Sequence, residues 1–128
     1  MRIVLIGAAL GVSVVLGLAA HQCGPFLAHR RLEDLDWHRT ASPAEMRATA
    51  HRALAYLFGD PHDAFSVLED YGDGSSIPYL EAALTRQPAD QRDIAECTWL
   101  HGRHALEVAL KSRAAAPSVT VTARPSCD

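Results

Sequence analysis

Between two apolar stretches, residues 64–71 and 79–84, the chain reads Gly72-Asp73-Gly74-Ser75-Ser76-Ile77-Pro78, the order in which a helix stops, turns and restarts. Gly72 suits the left-handed conformation that ends a helix, Ser75 or Ser76 can accept from the N–H groups that open the next one, and Pro78 falls in a first turn, where its missing N–H costs no bond. These seven residues predict the joint of an antiparallel helix pair and point to an all-α fold.

The flanking segments carry the same punctuation. Ser42-Pro43-Ala44-Glu45 has the residues of a capping box with proline at the first helical position. The helix it opens is expected to reach Leu57 or Phe58, with Met46, Ala50, Ala53, Leu54 and Leu57 on one face, until Gly59-Asp60-Pro61 stops it. Asp63 is placed to cap a short helix carrying Ala64, Phe65, Leu68 and Tyr71. A third helix should carry Tyr79, Leu80, Ala83 and Leu84 and end at Gln87-Pro88. The last, from Asp90 or Gln91 to Ser112, places Ile94, Cys97, His101, Ala105 and Val108 on a stripe. Leu100, Leu106 and Leu110 widen that stripe, as in a helix packed on two neighbours. Ser118 to Thr122 alternates like a strand but has nothing to pair with, so residues 114–128 read as a flexible tail.

Upstream, residues 3–20 form an apolar run without a charge behind Met1-Arg2. A run of that length is a transmembrane helix or the apolar part of a secretion signal. Gly17 and Ala19 offer signal-peptidase spacing, yet no Ala-x-Ala triplet is present and the run is longer than most signal cores. Ala20-His21-Gln22 before Cys23 is not a lipidation box. An uncleaved single-pass anchor is therefore the expectation, and a secreted or periplasmic protein after cleavage is the alternative. Arg30, Arg31 and Arg39 lean the positive-inside bias toward a cytoplasmic C-terminal part. Gly7 and Gly11 lie four apart, as do Ser13 and Gly17, a spacing that allows a homodimer through closely packed membrane helices. The expected organisation is an anchor or signal at 1–20 and a linker with a short amphipathic helix at 21–41. A helical domain at 42–113 and the tail at 114–128 complete it.

Residues 52–110 resemble bacterial HEAT-repeat proteins. The resemblance rests on Gly59-Asp60-Pro61, on Gly72-Asp73 leading to Ser76-Ile77-Pro78-Tyr79-Leu80, and on Cys97-Thr98 with His101, Ala105 and Leu106. It implies short HEAT-like antiparallel hairpins, about four to five helices in all, and a role in presenting a helical face to a protein partner. A unit of that family spans about 40 residues, so one full unit plus flanking helices fits, fewer than the three or more repeats that usually bury a continuous core.

Chemistry-bearing residues are few. The formal net charge is −3, with 12 basic and 15 acidic residues intermixed, which argues against nucleic-acid binding. Cys97, His101 and His104 share one side of the last helix and are the metal-ligand candidates, with His51 or His62 available as a fourth ligand. Without a C-x-x-C or H-E-x-x-H signature, core packing of Cys97 and a turn-carbonyl partner for His101 are the simpler reading. Asp60, Asp63, Glu69, Asp70 and Asp73 lack the order of a calcium loop, and capping by Asp63 and Asp73 accounts for them. Ser75 and Ser76 lack the elbow of a serine nucleophile. Three cysteines make no disulfide framework, and Cys23 with Cys127 is the pair expected if one forms. Trp37 and Trp99 lie beside the apolar stripes of their helices and are the partner-contact candidates, with core packing an alternative of at least equal weight. The expected function is a non-enzymatic, membrane-tethered interaction module without a cofactor. The rival is a secreted or periplasmic metal-binding protein that uses the Cys/His face.

Overall fold

Apolar residues that recur every three or four positions can leave water only by packing helix on helix. In a computed structural model of the chain, residues 2–87, 94–115 and 125 are described, and they form helices without strands. The helices are α1 (Arg2–Leu32), α2 (Leu35–Thr40), α3 (Pro43–Ala53), α4 (His62–Tyr71), α5 (Ile77–Leu84) and α6 (Ile94–Ala114). One turn of 3-10 helix, Gly74–Ser76, precedes α5. The all-α expectation, with an apolar helix at the N-terminus, holds for these residues. The tail proposed for 114–128 lies outside them almost entirely, as does the start of the last helix.

No linker separates the apolar run from the packed helices. Residues 21–25 are helical, and Pro25 sits inside α1. Gln22, Ala28 and Leu32 are buried where α1 packs on α3, so tertiary contact outweighs the local cost of Gly24 and Pro25. Asp34 then caps α2, accepting from the N–H groups of Asp36 and Trp37 at 3.0 and 3.3 Å.

Ser42 and Glu45 form the expected capping box: the Glu45 N–H donates to Ser42 Oγ at 3.3 Å, and the Ser42 N–H donates to Glu45 Oε2 at 2.8 Å. Met46, Ala50, Ala53 and Leu54 are buried as the spacing predicts. The helix stops at Ala53, however, short of Leu57 or Phe58. The carbonyls just beyond it are taken by side chains from elsewhere in the chain. Arg86 donates to Leu54 and Tyr56, and Gln22 donates to Ala55 while accepting from the Leu57 N–H at 2.9 Å. Leu57 is left half exposed.

The 72–78 joint works by different chemistry from that expected. Gly72 has φ −69° and ψ 150°, extended rather than left-handed. Glycine is needed there for room, since a Cβ would lie 2.3 Å from the Leu68 carbonyl oxygen. Asp73, not a serine, caps the 3-10 turn: its Oδ1 accepts from the Ser75 N–H at 2.9 Å while its own N–H donates to Ser76 Oγ at 3.3 Å. The Ser75 hydrogen bonds, with Arg47 2.9 Å from Oδ2, hold the Asp73 carboxyl below its usual range. Asp63 does not cap α4 either; Asp60 accepts from the His62 N–H at 2.9 Å.

The joint also links different partners. Helix α4 packs on α3 and α6, and α5 packs on α6, whereas the consecutive helices α4 and α5 are not a principal packed pair. The Gly72 to Pro78 segment therefore connects an α3/α4 pair to an α5/α6 pair. Phe65, Leu68 and Leu80 are fully buried at the centre. On α6 the buried face runs through Thr98, Trp99, His101, Gly102, Ala105 and Ala109, while Leu100 and Leu110 are 40% and 46% exposed. The expected stripe thus holds at His101 and Ala105, with Leu106 packed against the core, and fails at Leu100 and Leu110. A Cβ on Gly102 would lie 2.8 Å from the Phe65 ring, so small residues on α6 admit the large ones of α4.

Candidate functional site

Glu69 occupies the buried face of α4, one turn after Phe65, with its side chain only 2% exposed. A carboxylate in that position requires donors. His101 and His104, one turn apart on α6, supply them: His101 Nδ1 lies 2.9 Å from both carboxylate oxygens, and His104 Nδ1 lies 2.9 Å from Oε1. Each ring therefore carries a proton on Nδ1. The His62 ring meets His101 edge-on at 5.1 Å, and the Thr98 hydroxyl donates to Asp60 Oδ1 at 3.3 Å. A polar seam thus crosses the α4–α6 contact within an otherwise apolar interface.

The structure brings His101 and His104 together as the spacing predicts and removes Cys97 from the set. Cys97 is disulfide-bonded, whereas Cys23 is free and exposed. The Cys23–Cys127 pairing is thereby overturned, and a Cys97 thiolate is not available to a metal. Cys127 lies outside the described residues. Among the described residues no group of three or more His, Cys, Asp or Glu side chains is placed to hold a metal ion. The partner of His101 is the Glu69 carboxylate, not a turn carbonyl. What this arrangement does chemically is to clamp α4 to α6 with charge-assisted hydrogen bonds, each worth about 1.5–3 kcal/mol.

A second polar contact joins α3 to the joint. His51 Nε2 is 2.8 Å from Ser76 Oγ, and its ring stacks on Tyr79 at 4.2 Å with 6° between planes. Burial, with Arg47 nearby, lowers the His51 pKa below its ordinary 6.5. A serine hydroxyl against an imidazole has the composition of a nucleophile and its base. Ser76 is 0% exposed, however, so the pair ties the joint to α3 where no substrate reaches.

Trp99 is a core residue, 7% exposed and edge-on to Phe65, which selects the core alternative over the partner anchor. Trp37 is half-buried and packs against the core. Sequence reasoning missed the roles of Glu69, Gln22 and Arg86. For Glu69 a signal existed, since it lies four residues after Phe65 on an apolar face. For the other two it did not, because their partners are backbone carbonyls 30 or more residues away.

No protein-family model matches this chain, and no curated protein or solved structure shows significant similarity to it.

Proposed function

We propose that the chain is a non-enzymatic, membrane-tethered helical module that presents its helices to a protein partner. The observation that carries this reading is α1 itself. Val12, Val14, Val15, Leu16 and Leu18 are exposed, and the same unbroken helix then buries Gln22, Ala28 and Leu32 against the rest of the fold. The segment Gly11–Leu32 is long and apolar enough to cross a membrane, a property a signal sequence shares. An anchor built this way holds the module rigidly at the bilayer instead of on a flexible leash.

The Cys97 disulfide supports placing the module on the oxidising side of the membrane, against the arginine bias, because disulfides persist outside the reducing cytosol. The α3/α4 and α5/α6 pairs, joined through α4 on α6, support a HEAT-like stacking. A second copy has room along α1: Cβ atoms on Gly11 or Gly17 would meet nothing within 4 Å. The buried polar side chains Gln22, Glu69, Ser76 and His101 all bond to the chain itself, which favours a scaffold over a catalyst.

The test is membrane fractionation with intact mass. The full chain is expected to stay with alkaline-washed membranes at its uncleaved mass, and to be digested by protease added on the oxidising side of sealed vesicles. A soluble species beginning near His21 would overturn the tether.

A further inference from the structure

The loop after α3 is held at the height where α1 leaves its apolar run. Side chains on a helix lean toward its N-terminus, so Gln22 covers the turn just before it, around residues 19–21. Its amide there donates to the Ala55 carbonyl at 3.3 Å and accepts from the Leu57 N–H at 2.9 Å. At a rise of about 1.5 Å per residue, residues 3–20 span about 27 Å, close to the hydrocarbon thickness of a bilayer. Leu57 is thereby pinned beside the end of that span.

What the loop shows at this height is apolar. Leu57 is 52% and Phe58 70% exposed, and Phe26 and Leu27 of α1 are exposed as well. Tyr56 bridges these groups, with its ring 5.5 Å from Phe26 and 6.0 Å from Phe58. Gly59 lets the loop close on α1, since a Cβ there would lie 2.7 Å from the Tyr56 ring and 2.9 Å from His29 Nε2. The backbone leading into the loop, as far as the Leu57 N–H, is already partnered. The N–H groups of Ala55, Tyr56 and Leu57 and the carbonyls of Leu54, Ala55 and Tyr56 all have partners within the protein. Exposed His21 and Arg52 suit anionic headgroups, and the Asp60 carboxylate turns back to the His62 N–H and Thr98.

We propose that the 55–59 loop is a second membrane contact, with Leu57 and Phe58 resting in the interfacial layer of the bilayer that α1 spans. This rests on the tether reading. Two points of contact fix the tilt of the module and decide which of its faces a partner meets.

The test places a nitroxide on the full chain, in a Cys23→Ser background, at one position at a time: Val15→Cys, Phe58→Cys or Asp36→Cys. Each protein is reconstituted in vesicles of equal phosphatidylcholine and phosphatidylglycerol, and its accessibility to oxygen and to a water-soluble nickel chelate is measured. Labels at 15 and 58 are expected to favour oxygen over the chelate several-fold relative to the label at 36. A lipid-protected label at 15 with an aqueous one at 58 would overturn the loop contact and leave the tether standing. An aqueous label at 15 would overturn both.

Discussion

Every residue of α1 from 11 to 21 is exposed, whereas residues 22–32 bury Gln22, Ala28 and Leu32 against α3. The backbone is the same helix throughout, so conformation does not distinguish the halves. Their surroundings do. On the tether reading, a helix in the first half answers the need to satisfy N–H and C=O groups where water is absent, and any uncharged apolar sequence serves. In the second half it is held by specific packing, which tolerates a glycine and a proline because the contacts with α3 outweigh them.

The largest test of that contrast is truncation. Removing residues 1–20 is expected to leave the cooperative thermal transition of the helical module intact, followed by circular dichroism in detergent-free buffer. Removing residues 1–32 should abolish it, because Gln22, Ala28 and Leu32 leave with the segment. Equal behaviour of the two truncations would erase the distinction between the halves.

Single substitutions sharpen the boundary. Leu32→Ala should cost about 2–5 kcal/mol in urea unfolding, the usual penalty for emptying a buried leucine site. Leu16→Ala, at an exposed position, should leave that measurement unchanged. The glycines divide in the same way. Gly102→Ala places a methyl group against the Phe65 ring and should cost about 1–3 kcal/mol. Gly17→Ala meets nothing and should stay within about 0.5 kcal/mol.

The smallest effect is that of pH, and it too should fall on the packed region alone. Because the folded state holds the His51 pKa below 6.5, the unfolded chain binds the proton more readily. Stability is then fully present above about pH 6.5 and declines as pH falls from there to the folded value. Asp73, also depressed, adds a further loss as pH drops below its ordinary 3.8. Urea midpoints measured from neutral pH downward should show the first decline, and His51→Gln should flatten it. An unchanged slope in that variant would assign the decline to other groups.

Much of the local grammar was legible. The Ser42–Glu45 capping box, the buried face of α3 from Met46 to Leu54 and the extent of α4 arise from side chains that act within one turn of their own position. Some errors were local, since Gly72 is extended, Asp73 replaces a serine as cap and Asp63 caps nothing, and others lie where the deciding partner is distant. Beyond the early end of α3, Gln22 and Arg86 reach the carbonyls of residues 54–56, and Pro25 fails to break α1 because α3 packs beside it. The α6 stripe holds at His101 and Ala105 but not at Leu100 and Leu110. Counting leucines favours the bulkiest residues, but a close helix contact also buries small ones: Gly102 lies against the Phe65 ring, and Ala109 is fully buried. Of the polar seam, His101 and His104 could be paired by spacing, while the carboxylate that holds them came from another helix.

By itself the sequence determined that the described chain is helical, that its first segment is apolar enough for a membrane or a signal, and where most helices begin. Those properties depend on spacing, capping and composition, which are local. Tertiary structure alone decided that α1 continues from the apolar run into the core, that Gly72 to Pro78 links two packed pairs, and that Glu69 joins α4 to α6. These depend on groups tens of residues apart meeting at a few ångströms. The same long-range bond from Gln22 sets the height of the 55–59 loop, and with it the membrane contact proposed for Leu57 and Phe58.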